Sequence, residues 1–284
     1  MPELKILADK NKLTFDEAVD KMAQHYDGYH FAPDTDGMFN PFSVLNVLNF
    51  SKFRNYWFQT GTPTYLVRLL KESDYDLRLL IDGIKLKPSD FAEYRADVKN
   101  PIPMLYQSGY LTITGYDNKY NMYNLGFPNE EVKYGFLNFL IPYYTSVNNG
   151  TGSFHIAEFC SELEAGDTEA FMKRLKIFFA DMSYELNNNN EKHYQTIFYV
   201  VFSMMGQYIE AEVRSAEGRS DAVVKTKDII YVFEFKLNGS AEKAIRQIDD
   251  KGYLIPYQLD SRRLVKVGVE FSKKKRNIHR FIAR

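Results

Sequence analysis

The stretch from Gly218 to Tyr253 constrains this chain more than any other, because ionisable residues there interrupt strongly strand-forming sequence. Ala222 to Val224 and Ile229 to Phe235 are rich in β-branched and aromatic residues, and Lys225-Thr226-Lys227-Asp228 between them has turn character. A β-hairpin is the simplest fold for that pattern. With the turn centred on Thr226 and Lys227, Asp221 is expected opposite Val232. Side chains alternate along a strand, and directly opposed residues share a face. Asp221, Glu234 and Lys236 are therefore expected on one face of the sheet, and Tyr231, Phe233 and Phe235 on the other. A register slip of a single residue would separate Asp221 from its partners.

Such a face has a definite chemistry. Asp221 and Glu234 offer hard oxygen ligands, which suit Mg²⁺ or Mn²⁺ completed by water and substrate phosphate. A metal held there lowers the pKa of a bound water and steadies charge on a phosphodiester. Lys236 is placed to orient or help deprotonate that water, or to offset charge in the transition state. The plainer alternative is an exposed strand face carrying a cross-strand ion pair, which is what an isolated Glu-x-Lys usually means. The upstream Asp, the shared face and the helix that follows favour a site.

On these residues the sequence resembles the PD-(D/E)XK nuclease superfamily: Asp221, then Glu234-Phe235-Lys236 on the next strand. The longer run through Gly239-Ser240-Ala241 and Gln247-Ile248 to Lys251-Gly252-Tyr253 resembles the C-terminal nuclease-like domain of bacterial AAA-ATPase-like proteins. Gly218-Arg219-Ser220-Asp221 stands where the superfamily name has Pro-Asp, so only the Asp is carried over. The resemblance implies Asp221 and Glu234 as metal ligands, Lys236 as the catalytic lysine, and Gln247 as a glutamine placed near the site. Activity does not follow from it, because function lives in the site rather than the fold.

With 284 residues, 45% hydrophobic and 26% charged, the chain has the composition of a globular protein with ample core. Its 22 Phe and 21 Tyr point to aromatic packing in cores and interfaces. The net charge of −1 supplies no global basic field, so contact with DNA or RNA must rely on local patches such as Arg262-Arg263 and Lys273 to Arg276. Such runs are more often solvated surface. Cys160 is alone, which excludes an internal disulfide and fits a reducing cytoplasm. No signal peptide is recognisable, and no apolar run approaches the roughly 18 residues of a membrane span.

Along the chain, residues 1–24 read as helical, with Thr14 and Glu17 as a capping box. Asn40-Pro41-Phe42-Ser43 reads as a helix entry. Tyr26-Asp27-Gly28-Tyr29, Asn40-Pro41-Phe42-Ser43 and Tyr56-Trp57-Phe58 through Gly61-Thr62-Pro63 resemble the C-terminal part of the AAA-ATPase-like region. The phosphate-cradling Gly-x-x-x-x-Gly-Lys-Ser/Thr loop occurs nowhere in the sequence, and no Walker B strand does either. No ATP site and no ATPase activity are expected of this chain. A nucleotide-binding partner, or an N-terminal ATPase half, could supply what is absent.

Leu77 to Ile84 and Ile102 to Ser108 read as helices, and Gly109 to Leu125 as a hairpin. Helices followed by a two-stranded wing suggest a winged-helix-like module. Glu130-Glu131 and the lack of a basic recognition helix favour a packing role for it over DNA reading. Ser146 to Ser153 reads as a linker, giving a helical, winged-helix-like domain over residues 1–147 and a nuclease-like domain over 153–284. In the second, a helix from Glu191 to Met205 leads into strands, then the helix Ala241 to Lys251 and a last strand, Leu264 to Phe271. This αβββαβ order is that of a restriction-endonuclease-like core, so the expected class is mixed α/β. Glu191 stands where related nucleases can carry an extra acid, but an N-terminal helix charge explains it as well. The five histidines show no zinc-ligand spacing.

The function these features favour is a metal-dependent nuclease acting on DNA or RNA, DNA preferred, in the cytoplasm and away from membranes. The competing possibility is a non-catalytic module that uses a nuclease-like fold to bind nucleic acid or protein. The sequence sets no oligomeric state.

Overall fold

Capping chemistry sets the first helices. Thr14 Oγ1 accepts from the Glu17 N–H at 3.2 Å while Glu17 Oε2 accepts from the Thr14 N–H at 2.7 Å, the reciprocal pair expected from sequence. The computed structural model describes residues 2–59, 64–73, 75–92, 100–144, 149–180, 191–213, 221–237, 239–272 and 274–284. The chain divides into two compact units, Met1–Phe139 and Leu140–Arg284.

The first unit begins with α1 (Pro2–Asn11) and α2 (Phe15–Tyr26), the stretch read as helical with a capping box at Thr14. The break falls at Lys12, whose φ of +57° no helix accommodates. After α3 (Pro41–Phe50) come α4 (Thr64–Glu72) and α5 (Leu77–Asp82). Asn40 caps α3, its Oδ1 accepting from the Phe42 and Ser43 N–H groups with Pro41 at the first helical position. Leu7, Met22, Tyr26, Val47 and Tyr56 form the core between α1, α2 and α3. The rest of the unit comprises β1 (Ile84–Leu86), α6 (Pro88–Ala92), α7 (Ile102–Gln107), β2 (Thr112–Asp117), β3 (Met122–Gly126) and α8 (Glu130–Tyr144) as far as Phe139.

The expected hairpin is β2–β3, but its sheet has the order β1-β3-β2 and so a third strand. The helix expected to run to Ile84 stops at Asp82. Gly83, at φ +92°, turns the chain so that Ile84 pairs with Leu125.

In the second unit α9 (Asn149–Glu164), α10 (Thr168–Ala180) and α11 (Glu191–Met205) precede β4 (Glu210–Val213), β5 (Ala222–Lys225) and β6 (Ile229–Leu237). Then come α12 (Ala241–Asp250), β7 (Arg263–Ser272) and β8 (Asn277–Ala283). The helix α9 takes in Asn149 to Ser153, all of the described part of the expected linker; residues 145–148 lie outside the described residues. Glycines at 150 and 152 cost roughly 1 kcal/mol each in a helix. The buried stripe Ile156, Phe159, Cys160 and Leu163 further along α9 offsets that cost.

The sheet order is β4-β5-β6-β7-β8, parallel only between β6 and β7. The strand β8 was missed in the sequence, where the last strand was expected to end at Phe271. A register shift between Glu270 and Phe271 breaks the period-two pattern there.

Helices cover both faces of β6. On one, Phe171 of α10 and Phe198 and Phe202 of α11 meet Phe233 and Phe235, and the Tyr231 hydroxyl donates to the Leu163 carbonyl at 2.9 Å. On the other, Ile245 and Ile248 of α12 pack with Val223, Ile230, Val232 and Tyr253. α12 lies close because Gly268 of β7 has no side chain. A Cβ there would stand 2.5 Å from the Ala241 carbonyl oxygen and 2.8 Å from Ile245 Cγ1. Gly268→Ala is expected to lower stability by about 3 kcal/mol by forcing α12 off the sheet, read as a fall in the urea midpoint.

Candidate active site

The hairpin that carries the ionisable residues turns two residues away from the expected register. Lys225 pairs with Ile230, and the Thr226 N–H donates to the Ile229 carbonyl at 2.8 Å, so the turn centres on Lys227 and Asp228. The buried Thr226 hydroxyl locks this turn by accepting from the Ile229 N–H at 3.1 Å. Ala222 therefore faces Phe233, and the same register one residue further sets Asp221 opposite Glu234 rather than Val232. A slip of two keeps the parity, so the shared face survives. Asp221 Oδ2 accepts from the Phe235 N–H at 2.7 Å, which fixes it at the mouth of the hairpin.

Glu234, on β6, is only 2% exposed. Lys236, two residues on and on the same face, donates from Nζ to Glu234 Oε1 at 2.7 Å. The same ammonium donates to Gln247 Oε1 on α12 at 2.5 Å. All four residues singled out in the sequence, Asp221, Glu234, Lys236 and Gln247, thus come together. Two others that shape the site carried no chemical role in the sequence. Tyr253 accepts from Gln247 Nε2 at 3.2 Å, and Gly239 leaves room for the Lys236 stem, since a Cβ there would stand 2.8 Å from Lys236 Cβ. The turn-like Gly-Ser and the Lys-Gly-Tyr run were the visible signals for both.

Burial pushes the Glu234 carboxyl up to about 7, with the Asp221 carboxylate adding to the shift and Lys236 opposing it. Asp221 is also raised, by burial, against the pull of the Phe235 N–H and Lys236. Glu234 Oε2 is buried and accepts no hydrogen bond. Two carboxyls with raised pKa and one orphaned oxygen describe a place where the single Lys236 ammonium does not offset the burial of two negative charges. Among the described residues no three acidic, His or Cys side chains gather. Two carboxylates completed by water and substrate is the donor set that suits Mg²⁺ or Mn²⁺.

A pH dependence follows. The folded pKa of Glu234 lies above the unfolded value, so its contribution to stability is full below about 4.5 and is lost as pH rises through about 7. The shift corresponds to roughly 3 kcal/mol. Metal-free protein is expected to lose stability of that order between pH 4.5 and 7 from this group, as read by urea unfolding of wild type against Glu234→Gln across that range.

Other expectations fare differently. Arg262 is held by Asp260, at 2.9 and 2.7 Å, and by the Thr226 carbonyl at 3.1 Å, so it braces the hairpin turn rather than standing free for phosphate. Lys274 and Lys275 are exposed in the turn between β7 and β8; Lys273 lies outside the described residues. The side chains of Glu191 and His193 are also outside what the structure describes. Glu131, read with Glu130 as favouring a packing role, is fully buried. The Cys160 thiol is buried and pushed up to about 12, which leaves it inert.

This geometry coincides with a family match. Residues 189–281 match the model of the PD-(D/E)XK nuclease superfamily, so the C-terminal part of the chain is a domain of that superfamily. An uncharacterized protein in the vnfD 5′ region of Azotobacter chroococcum is 30% identical over 276 residues, covering 93% of this chain and 52% of the relative. The chain thus spans about half the length of that curated relative. No solved structure matches it. Among the described residues no helix is long and apolar enough to cross a membrane.

Proposed function

We propose that the C-terminal unit hydrolyses phosphodiester bonds in DNA or RNA, DNA preferred, with Mg²⁺ or Mn²⁺ held by Asp221 and Glu234. The observation that carries this is the unpartnered, buried Glu234 Oε2 with Asp221 opposite it across the hairpin. When bound, the metal supplies an activated water and neutralises charge on the phosphodiester. Lys236 holds its ammonium beside that place, offsetting charge on the scissile phosphate and orienting the attacking water. Gln247 fixes the ammonium from the helix side.

The first unit, in this reading, is the winged-helix-like C-terminal part of an AAA-ATPase-like region, with nucleotide hydrolysis left to a partner or to a further segment. The order α5-β1-α6-α7-β2-β3 with sheet order β1-β3-β2 supports the winged-helix likeness. A cytoplasmic setting agrees with the reduced Cys160.

The test is cleavage of end-labelled single- and double-stranded DNA and RNA by the full chain, in Mg²⁺ or Mn²⁺ against EDTA. Metal-dependent cleavage supports the nuclease. Nucleic-acid binding with no cleavage in either metal would move the assignment to a binding module.

A further inference from the structure

Three stretches that stand out in the sequence, and that the nuclease reading leaves without a role, meet in the first unit. Tyr26-Asp27-Gly28-Tyr29, Asn40-Pro41-Phe42-Ser43 and Tyr56-Trp57-Phe58 all contribute to the lining of one cleft of about 500 Å³, through Tyr29, Asn40 and Pro41, and Trp57. Phe31, Phe39 and Tyr106 add further rings to it.

The apolar surface continues beyond the cleft. Phe31 is 72%, Met38 56% and Leu45 69% exposed, and Phe39 and Phe42 are exposed as well. A surface helix normally sets a charged face against its apolar stripe, yet α3 carries no charged residue at all. Leu45 lies four residues beyond Pro41 and so on the helix face that borders the cleft. A continuous exposed apolar patch of this kind marks an interaction site.

The segment carrying Phe31 and Met38 is already in place. The Tyr29 N–H donates to the Met38 carbonyl at 3.2 Å and the Met38 N–H to the Tyr29 carbonyl at 3.0 Å. The His30 N–H donates to Thr112 Oγ1 at 2.7 Å, and His30 Nδ1 lies 2.7 Å from the Thr35 carbonyl, which only accepts, so Nδ1 carries the proton. A surface ordered in advance loses little freedom on binding.

Charge selects the partner. Between Lys21 and Lys52 the chain has no Lys or Arg, and it has three Asp, at 27, 34 and 36. Asp34 and Asp36 are exposed in the loop between Phe31 and Met38. Among the described residues the cleft lining includes no Lys or Arg, so a phosphate finds no cation there. We propose that this cleft and the exposed face of α3 dock an amphipathic helix of a partner protein whose polar face is basic. Its apolar anchors enter the cleft and lie along Leu45, and its Lys or Arg side chains face Asp34 and Asp36. Every residue involved lies in the first unit, so the proposal stands apart from the nuclease reading.

Trp57 lines the cleft and is the single tryptophan, so its emission reports occupancy in the full chain. The probe is a Trp-free Leu/Lys peptide of about 18 residues with its leucines on one helical face, long enough to hold a helix. It is expected to shift Trp57 emission to the blue and to saturate. A Leu/Glu peptide of the same pattern, and a scrambled Leu/Lys peptide of the same composition, are expected to do neither. Leu45→Gln removes the apolar contact without changing charge, at a position exposed enough to leave the thermal midpoint unchanged, and is expected to weaken binding about tenfold. Reversing charge with Asp34→Lys and Asp36→Lys together is expected to transfer the preference to the Leu/Glu peptide.

No saturable shift with the Leu/Lys peptide overturns the proposal. An equal response to either control peptide does so too, because it would reduce the effect to apolar contact or to charge alone. Full affinity in Leu45→Gln would confine binding to a small ligand inside the cleft, and a shift produced by a short DNA duplex alone would make the face a nucleic-acid surface; either result also overturns it.

Discussion

Glu234→Gln is expected to abolish metal-dependent cleavage, by about three orders of magnitude or more, without unfolding the protein. The carboxylate is the best-buried of the acidic pair, and its unpartnered Oε2 is the atom most suited to a cation. Gln matches it in shape and still gives Lys236 an oxygen, but it cannot bring the negative charge that draws the metal. In the metal-free protein the same change removes a charge that burial and Asp221 both disfavour. The variant's thermal midpoint at pH 8 is therefore expected to equal or exceed that of wild type. Loss of activity together with loss of fold would mean that Glu234 is structural. Loss of activity with an equal or higher midpoint separates the site from the scaffold.

Glu131→Ala is expected to cost the first unit about 3–5 kcal/mol. Glu131 is fully buried, and burial raises its pKa against the hydrogen bonds that hold it ionised. Its Oε2 accepts from the Ser43 hydroxyl at 2.7 Å and its Oε1 from the Trp57 N–H at 3.0 Å. A single carboxylate near the start of α8 thereby ties down the first turn of α3 and the segment at Trp57. Truncation removes the acceptor that the Ser43 hydroxyl and the Trp57 N–H share. Gln, which keeps the shape and one acceptor, is expected to cost less, about 1–2 kcal/mol. The measurement is convenient because Trp57 is the single tryptophan in the chain. Urea unfolding followed by its fluorescence reports the first unit by itself, and an unchanged midpoint in Glu131→Ala would show that this carboxylate holds nothing together.

The site was more legible than the fold around it, and the reason is periodicity. The expected hairpin register was wrong by two residues, yet Asp221, Glu234 and Lys236 still share a face, because side-chain direction depends only on whether a shift is even or odd. What corrected the turn was the Thr226 hydroxyl bonding Ile229 across it, a local side-chain bond that averaged turn propensity does not carry.

Elsewhere the local signal misled. Gly150 and Gly152 look like a linker but continue into a helix whose buried stripe outweighs their poor propensity. Glu131 beside Glu130 reads as the acidic first turn of a helix, and nothing local shows that Ser43 and Trp57, far away in sequence, will fold over it. β1 and β8 were invisible for a related reason. Each is defined by the strand it pairs with, Met122–Gly126 for β1 and Arg263–Ser272 for β8. Gln247 was found only through resemblance, and Tyr253 went without a role because its hydroxyl acts on another side chain rather than on chemistry directly.

The central claim is that Asp221 and Glu234 together form a cation site. Its most direct test is calorimetric titration of Mn²⁺ into metal-free wild type, Asp221→Asn and Glu234→Gln. Wild type is expected to bind an ion that each variant binds at least about tenfold more weakly. Wild-type affinity should also rise with pH up to about 7, where Glu234 gives up its proton. Equal affinity in all three proteins, or no binding by wild type at pH 8, would contradict the claim and leave the hairpin charges as a buried ion pair.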